Sequence, residues 1–121
     1  MKLLLVDDSP IMRQMIKRYL PQRVKESWSV VEAENGLEGA DLFEVERPDL
    51  VLMDLTMPVL DGIGASRRIL EFDPSAKIVV ISGDIQKKVV EEVLALGVLT
   101  HLPKPPNAQM LQSVFDQYAP Q

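Results

Sequence analysis

Residues 3–8, Leu-Leu-Leu-Val-Asp-Asp, and residues 50–54, Leu-Val-Leu-Met-Asp, share one pattern. Four apolar residues follow one another without alternation, then the chain stops at carboxylates. A strand that is apolar on both faces belongs in a parallel sheet covered on both sides. Acids at the ends of such strands do little for folding. Gathered together they repel one another unless a cation or protons intervene. Asp7, Asp8 and Asp54 are therefore the first candidates for a functional site.

Outward from these two strands, strand and helix patterns alternate. Ser9 is a good N-cap and Pro10 suits the first helical position. Ile11, Met12, Met15, Ile16, Tyr19 and Leu20 then have helical spacing, and Pro21 ends the run. Arg23 to Ser27 reads as a loop, and Ser29 to Ala33 as a short second strand. Asn35, with Glu38 three residues on, resembles a capping box for a helix that ends before Pro48. After the strand Leu50 to Met53, the stretch Thr56 to Gly62 reads as a loop. Ile63 to Phe72 is a helix closed by Asp73-Pro74. Lys77 to Ile81 is a fourth buried strand, followed by Ser82-Gly83. Ile85, Val89, Val93 and Leu96 form a helical stripe that Gly97 terminates. Val98 to Leu102 is the fifth strand. Pro103-Lys104-Pro105-Pro106 is a stiff loop. Asn107 caps a last helix whose apolar face is Met110, Leu111, Val114, Phe115 and Tyr118.

Five strands alternating with five helices predict an α/β fold, a doubly wound parallel sheet. A (β/α)₈ barrel needs eight such units and about 250 residues. In open α/β sheets ligands bind beyond the carboxyl ends of the strands. Asp7, Asp8, Asp54, Ser82 and Lys104 all fall there. The three acids converge if the first and third strands are neighbours, which the pattern alone does not decide. Taken singly, each residue has a plainer reading: acids favour a helix N-terminus, a lysine is usually solvated, and Ser-Gly often makes a turn. Their joint placement is what makes a site.

The 121 residues suit one domain spanning 1–121. There is no cysteine, so no disulfide framework and no thiolate chemistry. No apolar run approaches the roughly 18 residues of a membrane span. Met1-Lys2 and the four apolar residues after it are too short for a signal peptide, so a cytoplasmic protein without membrane attachment is expected. A net charge of -5 argues against nucleic acid as a partner.

The segments VDDSPIMR, VLMDLTMPVLDG, VVISGD and LPKPP resemble, in order, the motifs of the bacterial response-regulator receiver domain, in the style of the single-domain, CheY-like chemotaxis regulators. The resemblance covers the whole chain. It implies a flavodoxin-like sheet of strand order 2-1-3-4-5, which comes with the family rather than from the pattern. It also implies a phosphoacceptor of a two-component (His-Asp) phosphorelay. Asp54 would accept the phosphoryl group. Asp8 would bind Mg²⁺ directly, Asp7 would hold it through water, and Asp54 and the carbonyl of Thr56 would complete the protein ligands. Ser82 would give its hydroxyl to the phosphoryl group, and Lys104 its charge. The implied partners are a histidine kinase or phosphotransfer protein and a downstream protein target, such as a flagellar motor component or a phosphatase, met by a monomer or weak dimer. Phosphoryl transfer and its reversal would be self-catalysed, with no separate enzymatic activity.

Several positions depart from the family's habit. Gly83 stands where Ala is usual. Thr56 and Asp84 occupy positions that tune the phosphoryl lifetime. His101 holds the switch position where an aromatic is usual, which brings an expectation of pH sensitivity. The Lys104-Pro105 bond is commonly cis in the family. Four other readings are weighed. A receiver excised from a larger regulator has the same motifs. A Mg²⁺-dependent aspartyl-phosphate phosphatase needs Asp-x-Asp on one strand, and Asp54-Leu55-Thr56 lacks the second acid. A flavin mononucleotide binder needs a phosphate loop that Asp7-Asp8 would repel. A scaffold that has lost its chemistry would lack an expected acid, and none is missing.

Overall fold

The computed structural model describes residues 1–83 and 86–119. Asp84 and Ile85, singled out above, lie outside the described residues. In chain order the elements are β1 (Lys2–Val6), α1 (Pro10–Tyr19), α2 (Gln22–Ser27), β2 (Ser29–Ala33), α3 (Gly36–Glu46), β3 (Leu50–Asp54), α4 (Gly62–Phe72), β4 (Ile78–Ser82), α5 (Lys87–Leu96), β5 (Thr100–Pro103) and α6 (Ala108–Tyr118). The five strands form one parallel sheet in the order β2-β1-β3-β4-β5. This is the order that the resemblance implies.

The apolar runs divide by alternation. Leu4, Val6, Val51, Met53, Ile78 and Val80 pack with Ala40 and Phe43 of α3, Ala65 and Ile69 of α4, and Val93 of α5. Leu3, Leu5, Leu50, Leu52, Val79 and Ile81 pack with Ile16 of α1, Val24 of α2, and Leu111, Val114 and Phe115 of α6. Each Val, Leu, Ile, Met or Phe among them contributes roughly 1.5–3 kcal/mol when fully buried. A one-residue slip would reverse every side chain in a strand, so both faces hold the register. No helix among the described residues is long and apolar enough to cross a membrane.

The caps expected from the sequence form. Ser9 accepts from the amide of Met12, Asn35 from Glu38 and Asn107 from Met110. Several boundaries move by one residue, among them β4, which runs from Ile78 to Ser82, and β5, which takes in Pro103, and two differ by more. Arg23 to Ser27 is not a loop but most of α2. Pro21 ends one helix and starts another, because its carbonyl accepts from the amides of Val24 and Lys25. Val24 is buried, and Trp28 stacks edge-on against Phe115 at 5.2 Å. The fifth strand starts at Thr100 rather than Val98. Gly97, at φ 111°, closes α5, and the amide of Val98 bonds back to the carbonyl of Val93. That amide is therefore spent on the helix end and not on the sheet.

The loop from β3 to α4 is pressed onto the sheet through glycines. A Cβ on Gly62 would lie 2.0 Å from the Asp54 carbonyl oxygen, and one on Gly36 would lie 2.0 Å from that of Leu60. At Gly83 the nearest atom to a Cβ is Lys104 Cβ at 3.9 Å. Gly62→Ala is expected to destabilise at the upper end of, or beyond, the roughly 1–3 kcal/mol of ordinary overpacking, because backbone must move. Gly83→Ala is expected to be close to neutral. Urea unfolding of both variants checks this, and equal effects would contradict it.

Candidate functional site

Register brings the strand ends together. Val6 pairs with Met53, Asp54 with Ile81, and Ser82 with Pro103. Asp7 continues the alternation of Leu3 and Leu5, and Asp54 that of Leu50 and Leu52. Both acids therefore leave the sheet on the side of α1 and α6. Asp7 and Asp54 are 1% and 3% exposed, whereas Asp8 is exposed. One carboxylate oxygen from each of the three lies within 4.8 Å of the others.

Lys104 arrives from the next strands. Its amide donates to the Ser82 carbonyl at 3.0 Å, continuing the pairing of β4 with β5. Its peptide bond to Pro105 is cis. The ammonium lies 3.0 Å from Asp7 Oδ2 and 3.2 Å from Asp54 Oδ2. Asp7 Oδ1 accepts from the Ser9 amide at 2.9 Å, and Asp54 Oδ1 accepts from the Thr56 amide at 3.4 Å. Apart from its ion pair with Lys104, the buried Oδ2 of Asp54 has no hydrogen-bond donor. An all-oxygen donor set with one such underused buried oxygen fits a hard divalent cation.

The electrostatics follow from burial. Asp54 is pushed above the ordinary carboxylate pKa, first by desolvation and then by the charge of Asp7, with Lys104 opposing. Desolvation works against the Lys104 ammonium, but Asp7 and Asp54 outweigh it and raise its pKa.

The other predicted residues are placed as follows. Ser82 is buried at the end of β4, beside Lys104 in the backbone pairing. Thr56 is exposed, one residue past Leu55. His101 is half-buried in β5 and pairs with Val80. Pro105 is exposed, and Pro106 is buried. Arg13 and Glu32 escaped the sequence reading. The Arg13 guanidinium donates to the Asp7 carbonyl and, at 3.0 Å, to Glu32 Oε1. Lys17 donates to Glu32 Oε2 at 2.8 Å. The Lys17 hydrogen bond leads in holding Glu32 below the usual carboxylate range, against desolvation and with help from Arg13. An i, i+4 pair of cations on α1 was the available signal, but it does not say which strand they meet.

A pH dependence follows. The folded pKa of Asp54 is raised, so its contribution to stability is full below the ordinary carboxylate value and is lost as pH rises through the folded value. In metal-free buffer, Asp54→Asn is expected to be more stable than wild type at neutral pH. That advantage should vanish at acid pH. Urea unfolding in EDTA across this range checks it; an advantage that grows on acidification would contradict it.

The family model described as the response regulator receiver domain matches residues 3–116. Protein CcdB of Bacillus subtilis is 42% identical over 105 residues, covering 86% of this chain and 85% of that protein. Chemotaxis protein CheY of Listeria monocytogenes is 37% identical over 119 residues, 98% of each. Among solved structures, the CheX-CheY-BeF3-Mg complex from Borrelia burgdorferi aligns with a TM-score of 0.87 and 28% identity, over 98% of this chain and 90% of that one. A family match over nearly the whole length, joined by a relative alike from end to end, is decisive: this chain belongs to the response regulator receiver domains, and within them to the CheY-like group.

Proposed function

We propose that the chain is one receiver domain over residues 1–121, and that Asp54 is the residue through which it takes part in chemotaxis-type two-component signalling. The observation that carries this is the burial of the Asp54 carboxylate in one cluster with Asp7 and Asp8, with the Lys104 ammonium bridging Asp7 and Asp54. An oxygen of Asp54 attacks the phosphorus of a phosphodonor. The new O–P bond forms as the donor's bond breaks, and the leaving group departs with the electron pair. Such transfers depend on positioning and charge neutralisation far more than on covalent help from the protein. Lys104 would shift its ion pair from the acids to a phosphoryl oxygen, and the Ser82 hydroxyl would donate to another. Water later cleaves the acyl phosphate, returning the carboxylate and inorganic phosphate. No separate substrate is turned over, so the chain acts as a switch and not as an enzyme.

Asp8 and Asp54, the carbonyl of Thr56, and Asp7 through water are the residues that would hold Mg²⁺. The ion would supply positive charge that offsets the mutual repulsion of the acids and the charge of the phosphoryl oxygens. The phosphodonor is a histidine kinase or phosphotransfer protein, and the output is a changed protein–protein contact with a target such as a flagellar motor component or a phosphatase. The Borrelia burgdorferi CheY, a relative, is found in a complex with CheX. The reading is of a cytoplasmic monomer or weak dimer. His101, at the switch position of β5, Gly83 and Pro105, and Asp84 by its place in the family's motif, tune the response.

Incubation with Mg²⁺ and acetyl phosphate is expected to add one phosphoryl mass, and Asp54→Asn to abolish it. Labelling that persists at one site in Asp54→Asn would remove Asp54 as the acceptor. Mg²⁺ is expected to raise the melting temperature by linkage, about 2.7 kcal/mol at one hundred times its Kd. Asp8→Ala is expected to lose that response. An unchanged shift in Asp8→Ala would show that Asp8 is not a ligand.

A further inference from the structure

All the hydrogen-bonding groups of Asp7 are committed. Its amide donates to the Ala33 carbonyl at 3.0 Å, Oδ1 accepts from Ser9, and Oδ2 pairs with Lys104. Its carbonyl accepts from Arg13. That carbonyl belongs to the peptide joining Asp7 to Asp8, so its orientation sets the direction in which the Asp8 side chain leaves the backbone. Asp8 itself is exposed. We propose that Arg13, restrained by Glu32, is a positioning residue that fixes the Asp7–Asp8 peptide and thereby aims the Asp8 carboxylate at the metal. This rests on the reading of the acids as the Mg²⁺ site.

The placement of Arg13 supports this role. It lies one turn into α1, with its amide on the Ser9 carbonyl at 3.0 Å, and its side chain is only 15% exposed. Its guanidinium spans two partners, the Asp7 carbonyl and Glu32 Oε1. Glu32 is one residue from the end of β2 and pairs with Leu5. Its second oxygen is taken by Lys17, so it cannot swing away freely. The restraint has a purpose. An uncommitted guanidinium on the backbone of this acidic cluster could turn to the bidentate pair that Arg and carboxylates favour, and would then compete with the metal. Glu32 holds the fork on the carbonyl and off the acids. Mg²⁺ accepts little deviation from octahedral geometry, so a small loss of aim at Asp8 is felt in affinity.

Charge and geometry predict opposite signs. Removing a cation near a Mg²⁺ site should tighten binding if charge alone mattered. Removing the positioning contact should weaken it. Mg²⁺ is titrated by calorimetry into wild type, Arg13→Met, Arg13→Lys, Glu32→Gln and Asp8→Ala, and melting is followed in EDTA. A roughly 10- to 100-fold rise in Kd is expected for Arg13→Met, the range seen when outer partners of metal ligands are lost. Arg13→Lys is expected to match it, because lysine keeps the charge but cannot span both partners. Glu32→Gln should weaken binding in the same direction. A brace between α1 and β2 with no positioning role would lower the melting temperature in EDTA and leave Kd, measured well below that temperature, at the wild-type value. A Kd in Arg13→Met that is unchanged or tighter overturns the proposal. If Arg13→Met does not fold, wild-type Kd values in Arg13→Lys and Glu32→Gln overturn it. If wild type binds no Mg²⁺, or Asp8→Ala binds it as well as wild type, the reading of the acids fails first and takes the proposal with it.

Discussion

The ammonium of Lys104, 3.0 Å from Asp7 and 3.2 Å from Asp54, holds the functional end of this molecule together. Two carboxylates that are almost wholly buried would otherwise face each other with little to compensate them. Removing one partner of a buried ion pair typically costs about 3–5 kcal/mol, because the other charge is left stranded. The lysine does not neutralise the group. Three carboxylates against one ammonium leave the pocket anionic, and the third, Asp8, is the one turned to solvent. That uncompensated charge is consistent with a divalent cation at this site. The raised pKa values of Asp54 and Lys104 are two sides of this competition between burial and charge.

That interaction depends on the sheet. Asp7 and Asp54 stand side by side only because β1 pairs with β3 in a register that sets Val6 against Met53. Lys104 reaches them only because β5 pairs with β4 up to Ser82 and Pro103. The two apolar layers fix those registers. Gly62 then lets α4 press against the backbone of Asp54 itself, so the end of β3 is clamped from the helix side as well. Core packing and site geometry are one set of constraints here.

Much of this was legible in the sequence because it is carried by local patterns. Unbroken apolar runs ending in Asp7-Asp8 and Asp54 announced buried parallel strands, and Ser9, Asn35, Asn107 and Gly97 marked helix ends through their own backbone chemistry. What was hidden was non-local. Residues 23–27 have too short a pattern to show a helix, and the burial of Val24 and the stacking of Trp28 on Phe115 come from an element some ninety positions away. Val98 looked like strand because its side chain is apolar, but its amide was already used to close α5. The meeting of Arg13 and Glu32 at the Asp7 carbonyl depends on the pairing of β1 with β2, which no local pattern carries. Neighbour order, which decides whether the acids meet, came through family resemblance and not through any one stretch of chain.

The most direct measurement of the central claim, that Asp54 and Lys104 form the phosphoryl-accepting pair of an acidic metal site, is a crystal structure of the protein with Mg²⁺ and beryllofluoride. The account predicts the beryllium on a carboxylate oxygen of Asp54, the Lys104 ammonium on a fluorine of that group, and the metal in contact with Asp8 and Asp54. A beryllofluoride adduct on any other residue, or Lys104 still paired with Asp7 and turned away from the adduct, would contradict it.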